Sequence, residues 1–563
     1  MPSHVSTNIL RSLTLVLAAI FAVAAQSPPR ADFNRPQSFD IQHYIIRASF
    51  DRANKRVLGD TTISLKPIAA ELRQVTLDAV DIKIESVKLE PAGAELAHQS
   101  SRTGVVISLD RAYAPTEQFS VRIKYTATPK KGVYFVPAEK GRSAQIWTQG
   151  EPDEARHWLP SFDFPSDKAT TEQILTVENG ETVIGNGELI GRTKNDNGTE
   201  TWHYNMPVPH SLYLSSFVIG KYIRLEDKHK DIPIGFYIYP GREATARKAF
   251  GKTREMMQIF EDRTGVPFPY NKYDQTIVAK FHFGGMENIT ATTLSDTDVF
   301  LADFGFGEAL VTDLVSHELA HSWFGNLVTC RNWAELWLNE GLATFMEAAY
   351  RERAYDRASY MRKIRADAEI FLADESVNKR RHGLFNQRAG DVSSLFDNSS
   401  TTYQKGAAVI HTLREQVGDE AFWKALNIYL TRHRLGSVET PDLIRAMEEA
   451  SGQKLGWFFD QWVYGAGAPR LDVKQIYDPG SKTLSVTVSQ THTVDPITPA
   501  VFRLPFEISV KNAEGDAKFE MDVTKRVETF SFKLTGKPLN LTVDPHDKIP
   551  LKRVKVRPLA TGK

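Results

Sequence analysis

The run Val315–Asn326, VSHELAHSWFGN, sets His317 and His321 four residues apart with Glu318 between them. On an α-helix, residues four apart share a face, so both imidazoles can aim at one point. Neutral imidazole nitrogen is a good zinc ligand, and a catalytic zinc takes three protein ligands and leaves a fourth position for water. Glu318, turned about 100° from His317 around the helix, can face that water and take its proton. Two satisfied core histidines would give the same spacing, so a third ligand decides between the readings. With eighteen residues between it and His321, Glu340 follows in WAELWLNEGLATFME at the start of a second helical run. Two antiparallel helices would bring Glu340 against the His pair, completing a His₂Glu set.

These side chains need a framework, and the length of 563 residues allows about three or four domains. Hydrophobic residues make up 41% and charged residues 25%, as in an ordinary globular protein. Lys+Arg and Asp+Glu each number 69, and that balance argues against a nucleic-acid binder or a polybasic membrane binder. At the N-terminus Arg11 precedes an apolar stretch from Leu13 to Ala25, with small residues at Ala22, Ala24 and Ala25. That is the layout of a signal peptide, read here as residues 1–25, which predicts an exported protein, periplasmic or extracellular, with no stable membrane association after cleavage. The single cysteine, Cys330, excludes an internal disulfide and reads as a small buried hydrophobe.

From Phe39 to Tyr222 the pattern alternates with period two, as in HYIIRASF, GDTTISLKP and FSVRIKYTA, with Asn-Gly turns at Asn179, Asn186 and Asn197. Helical patterns follow: one helix across Gly241 to Gly265, a second from Gly307 to Val328 and a third from Asn339 to Tyr355. After Gly465–Pro469 strands return, with NAEG as a hairpin turn. The expected division is a β domain at 33–225, a mainly helical domain carrying the metal motif at 226–465 and a small β-sandwich at 468–555.

Three further stretches are weak by themselves. FHFGGMENIT places Glu287 after Gly284 and Gly285, TQGEPDEAR carries Gln149 and Glu151, and TTYQKGAAV carries Tyr403. Read singly, they are a glycine turn, a solvated acidic turn and a packing tyrosine. Together, in this order and beside the zinc pattern, they resemble the gluzincin aminopeptidases, the family of aminopeptidase N and leukotriene hydrolase. The segment Gly284-Gly285-Met286-Glu287-Asn288 is similar to that family's G-A-M-E-N motif, with Gly285 where the family usually has alanine.

The resemblance implies a multidomain α+β fold: a β saddle, a thermolysin-like zinc domain and a small β-sandwich. It implies one zinc ion on His317, His321 and Glu340, with Glu318 as base. Glu287 and Glu151 would hold the free ammonium of a peptide substrate, Gln149 would help position it, and Tyr403 would hydrogen-bond the oxyanion. The large C-terminal helical domain of many members has no counterpart before Lys563, so no gating of substrate size by it is expected. Two other readings stay open: an endopeptidase or epoxide hydrolase on the same zinc site, and a non-catalytic interaction module of the same fold.

Overall fold

The computed structural model describes residues 31–561; the expected signal peptide, 1–25, lies outside them. Residues from Phe33 onward form one compact unit. Its first half is β-structure in which buried and exposed residues alternate. An eight-stranded sheet runs in the order Glu188–Lys194, Thr199–Ser211, Lys168–Glu178, Phe39–Asp51, Arg56–Pro67, Phe119–Ala127, Ile82–Glu90 and Ala94–Glu95. Phe39–Asp51 pairs in parallel with Lys168–Glu178, and the neighbouring pairs are antiparallel. Ile41, Tyr44, Ile46, Ile63 and Leu65 sit on the covered face, as expected for strands with one wet side. The Asn-Gly steps at Asn179 and Asn197 are turns and that at Asn186 is a bend, with Gly180, Gly187 and Gly198 all at positive φ.

A five-stranded mixed sheet follows, in the order Ile223–His229, Ile232–Ile238, Tyr273–Val278, Ala291–Ser295 and Gly285–Met286. The period-two pattern did not reveal its inner strands, because Tyr273–Val278 and Ala291–Ser295 are buried at every position. Strands covered on both faces lose the polar alternation that marks an edge or half-buried strand. The expected domain boundary at 225 falls inside the strand Ile223–His229, whose partner is the strand Ile232–Ile238 of the mixed sheet.

Ten α-helices fill the next part of the chain: α1 Glu243–Phe250, α2 Thr253–Thr264, α3 Asp296–Val299, α4 Glu308–Ala320, α5 Trp337–Ala354, α6 Arg357–Glu375, α7 Gly406–Val417, α8 Asp419–Arg432, α9 Thr440–Ser451 and α10 Gly456–Phe459. The single helix expected across Gly241 to Gly265 is therefore two. The ladder stops at Phe250, whose carbonyl accepts from the Thr253 hydroxyl at 2.8 Å, and α2 ends at Gly265 in the left-handed region. The second expected helix, Gly307 to Val328, is also shorter and ends at Ala320. At Gly325 (φ +123°) the chain folds back over His321, and a Cβ there would lie 2.9 Å from His321 Nδ1. Glycine permits that close approach.

After a π-helical turn at Asp460–Tyr464 all assigned elements are strands, in sheets of five and three. Asn512 pairs with Gly515, which makes NAEG a two-residue hairpin loop. The architecture is multidomain α+β. Among the described residues no helix is long and apolar enough to cross a membrane.

Candidate metal and amine site

Helix α4 presents His317, Glu318 and His321 to a cavity of about 620 Å³, and the first turn of α5 adds Glu340. The helices are held by more than apolar packing. In α5, Gly341 meets Gly406 at the start of α7, where a Cβ on Gly406 would lie 2.7 Å from the Gly341 Cα. Only glycine at the crossing lets the backbones approach this closely. The π-turn Thr401–Lys405 leads straight into α7 and carries Tyr403, whose ring stacks on His317 at 5.9 Å between centroids.

Each imidazole is oriented from behind. His317 Nδ1–H donates to Glu347 Oε1 at 2.9 Å, and His321 Nδ1–H donates to the Phe324 carbonyl at 2.8 Å. Both acceptors lack a proton to give, so Nδ1 is the protonated nitrogen and each Nε2 lone pair points inward. The two Nε2 atoms are 3.1 Å apart, and Glu340 Oε2 lies 3.2 Å from one and 3.4 Å from the other. Three bare electron-rich atoms this close repel unless positive charge sits among them. Ligands at about 2.0–2.1 Å from a tetrahedral cation would be separated by roughly 3.3–3.4 Å, so the set fits a divalent ion. The early end of α4 makes this possible, because the fold-back at Gly325 delivers the Phe324 carbonyl to His321.

The electrostatics carry the same preference for positive charge. Burial works against charged imidazoles, yet Glu340 and Glu347 hold His317 well above its usual value, and Glu287 and Glu340 raise His321 to about 9. Burial also opposes ionisation of Glu340, but the two histidines bring it down to about 2. Glu318 is pushed up to about 8 by burial, and its Oε2 has no hydrogen-bond partner among the described residues. It packs directly over Gly285: a Cβ there would lie 2.2 Å from Glu318 Oε1.

Beside this triad lie the carboxylates from the weaker motifs. Glu151, Glu287 and Glu340 offer oxygens within 4.8 Å of one another, all buried. Glu287 Oε1 stands 4.0 Å from His321 Nδ1. Burial raises both Glu151 and Glu287, and their mutual repulsion adds to the rise at Glu151. Gln149 donates to the Glu151 carbonyl at 3.2 Å and reaches the Met286 sulfur at 3.2 Å. Asn288 donates to Thr293, and Asn326 Nδ2 holds the Glu287 carbonyl at 2.8 Å. One oxygen each of Gln149, Glu151, Glu287 and Asn288 is buried without a partner among the described residues. Of these residues Glu151 and Glu287 line the cavity, and buried acceptors left open beside a cavity suit a donor. Gly284 and Gly285 form the cavity floor as the edge of the mixed sheet, Gly285 pairing with Leu294.

Sequence reasoning missed the groups behind His317. Glu347 lies seven residues after Glu340 on one face of α5, a spacing that could have flagged it. Lys363 and Asp367 of α6 continue the chain, with Lys363 Nζ 2.9 Å from Glu347 Oε2 and 2.7 Å from Asp367. No local pattern marks them. Cys330 is a buried free thiol, raised well above its usual value by burial.

Comparison with known proteins adds an independent line. The Peptidase family M1 domain matches residues 248–462, and the Peptidase M1 N-terminal domain matches 40–214. Aminopeptidase N of Streptomyces lividans is 33% identical over 340 residues, 58% of this chain and 38% of that protein. Aminopeptidase 2 of Candida albicans is 25% identical over 464 residues, 80% of this chain and 49% of the relative. A leucyl aminopeptidase of Saccharolobus solfataricus is 26% identical over 440 residues, 77% and 54% of the two chains. The chain thus spans about half the length of these relatives, or less.

Proposed function

The chain belongs to peptidase family M1, and from that premise we propose that it is a zinc-dependent aminopeptidase that removes the N-terminal residue of peptides. One observation carries the reading: two buried carboxylates with open oxygens, on Glu151 and Glu287, beside a His₂Glu set whose lone pairs converge. A metal site alone would suit any hydrolase. The extra carboxylates give a free α-ammonium its counter-charge, and a blocked N-terminus would leave them crowded and uncompensated.

In this reading His317, His321 and Glu340 hold one zinc ion per chain, which supplies a Lewis acid for a carbonyl and lowers the pKa of a water. Glu318 takes the proton of the attacking water and passes it to the nitrogen of the departing peptide. Glu287 and Glu151 bind the substrate ammonium, with Gln149 and Asn288 offering further acceptors. Gly284, Gly285 and Met286 form the floor beneath the first residue. The Tyr403 hydroxyl donates to the developing oxyanion, a contribution of about 3 kcal/mol in comparable sites. Export directed by residues 1–25 belongs to the same proposal.

The test uses protein from Gln26 onward supplied with zinc, one short peptide with a free N-terminus and the same peptide acetylated. Stepwise loss of residues from the free form alone, followed by mass spectrometry, is the expected result. Internal cuts in both forms would overturn the exopeptidase reading and leave the metal chemistry standing.

A further inference from the structure

The Asn-Gly step at Asn186 has no part in the chemistry above, yet Asn186 is only 1% exposed. It carries the chain from the strand Thr182–Gly185 to the strand Glu188–Lys194, which belong to different sheets. A buried primary amide has donors and an acceptor to satisfy, and here each has a partner. The side-chain oxygen accepts from Ser216 N–H at 2.6 Å and from Gln173 Nε2 at 3.0 Å. The nitrogen donates to Ser216 Oγ at 3.2 Å and to the Ile289 carbonyl at 2.7 Å. Ser216 N–H can only donate and the Ile289 carbonyl can only accept, so the amide has one orientation. The bond to Ile289 spans 103 residues and reaches the turn that follows Glu287 and Asn288.

That turn is strained. Ala291 N–H bonds the Asn288 carbonyl at 3.0 Å, closing four residues with Ile289 and Thr290 at the centre. Thr290 has a φ of +60° or so, +61° as placed, whereas Ile289 has no positive φ. A negative φ followed by a positive one is the pattern of a type II turn, which favours glycine or asparagine at its third position. A β-branched residue there is an outlier, held only where its surroundings over-determine it. Types I and II differ chiefly by a flip of the central peptide, so rotating the Ile289–Thr290 peptide would relieve Thr290. The flip would swing the Ile289 carbonyl away, and that is the group Asn186 holds. Neighbouring bonds oppose it as well. Ile289 N–H donates to the Leu214 carbonyl at 3.0 Å, Gly187 N–H to Thr290 Oγ1 at 2.7 Å and Asp274 N–H to the Thr290 carbonyl at 2.9 Å.

We propose that Asn186 is a positioning residue for the amine site: it latches the strained turn and thereby sets where Glu287 stands. The inference rests on the aminopeptidase reading, which gives Glu287 the substrate ammonium. Glu287 lies between two fixed points. Asn326 Nδ2 holds its own carbonyl at 2.8 Å, and the latched turn begins at the next residue. With the latch gone the turn relaxes toward a right-handed Thr290, and Asn288 and Glu287 shift with it. The ligand histidines take their orientation from Glu347 and the Phe324 carbonyl, neither of which touches this turn. Substrate binding therefore weakens while the metal set stays in place.

The test measures kcat and KM of zinc-loaded protein on a peptide with a free N-terminus, with the acetylated peptide as control. Asn186→Ala is expected to raise KM about ten-fold, the scale of one weakened hydrogen bond to a charged group. Its kcat should stay within about three-fold of the parent, the signature of lost uniform binding, with zinc content unchanged. Adding Thr290→Gly removes the strain, because glycine takes a positive φ at no steric cost. The double variant should return KM to within about three-fold of the parent although the Asn186 bond is still missing. A merely structural defect would not be repaired by deleting a second side chain. If Asn186→Ala does not fold by circular dichroism, Thr290→Val carries the test. It keeps a branched side chain at positive φ, removes the acceptor of Gly187 N–H and should raise KM about three-fold, the scale of a neutral hydrogen bond. Parent-like KM in the folded variant, a loss confined to kcat, or a double variant no better than Asn186→Ala would each overturn the inference and leave the aminopeptidase reading standing. Parent protein that cleaves neither peptide, or both equally, would bring down the reading and the inference with it.

Discussion

Replacing Gly285 with alanine adds one methyl group where the structure has room for none. The new Cβ would lie 2.2 Å from Glu318 Oε1, 2.5 Å from Cδ and 2.7 Å from Cγ. Non-bonded carbon contacts settle at about 3.5–4.0 Å, so the carboxylate must retreat by about 1 Å or more. The glycine cannot yield instead, because its strand pairs with Leu294 and Ser295 N–H bonds the Gly284 carbonyl at 2.8 Å. A displacement of about 1 Å in a reacting group costs on the order of 10²-fold, or about 2.7 kcal/mol of transition-state stabilisation. Gly285→Ala is therefore expected to lower kcat about 100-fold on a free-N-terminal peptide, with KM changed little and zinc content unchanged by atomic absorption. In the Glu318→Gln background the same alanine should cost almost nothing further, because both changes act through one carboxylate. The substitution moves the motif toward the alanine that gluzincin aminopeptidases usually carry, so the naive expectation is neutrality. A Gly285→Ala enzyme with kcat within about three-fold of the parent would refute the reasoning. So would a full additional 100-fold loss on top of Glu318→Gln.

Removing the carboxylate behind His317 with Glu347→Gln should weaken zinc binding about 10- to 100-fold, read by competition with a chelator. Glu151→Gln should lower kcat/KM for free peptides about 100-fold and reduce the preference for free over acetylated N-termini, measured on the same peptide pair. Lys168 is half-buried, its ammonium donating to the carbonyls of Asn326 and Leu327 at 3.1 and 3.3 Å, and desolvation lowers its pKa to about 7. The unfolded chain then holds a proton that the folded chain has lost between about pH 7 and the usual lysine range. Stability from this residue therefore rises with pH across that window, by at most about 1.4 kcal/mol per unit. Urea unfolding at pH 7 and pH 9 should show the rise in the parent and its absence in Lys168→Met.

The ligand pattern was legible because it is local. His317, Glu318 and His321 share one helix, and Glu340 opens the next, so spacing and helical periodicity predict that they meet. The same holds for the alternating strands from Phe39 onward, where each residue's face follows from its neighbours. Gln149 and Glu151 were recoverable only through resemblance, since nothing within their own segment says that it packs against α4 from 166 residues away. The early stop of α4 was hidden as well. HSWFGN is apolar enough to continue a helix, and the decision to turn is made by Gly325 and by the hydrogen bond from His321 to Phe324. The inner strands of the mixed sheet escaped because burial on both faces erases the period that marks a strand.

The sequence by itself determined which side chains could hold a metal and which glutamate could serve as its base, because helical geometry converts a spacing of four into a shared face. Only the tertiary structure decided what surrounds them. It set Glu347 and Lys363 behind His317, Glu318 over the bare backbone of Gly285, and Leu310, Ile370 and Phe396 around the same cavity. Those juxtapositions join segments tens to hundreds of residues apart. They are fixed by which buried faces pack together, and no local periodicity encodes that.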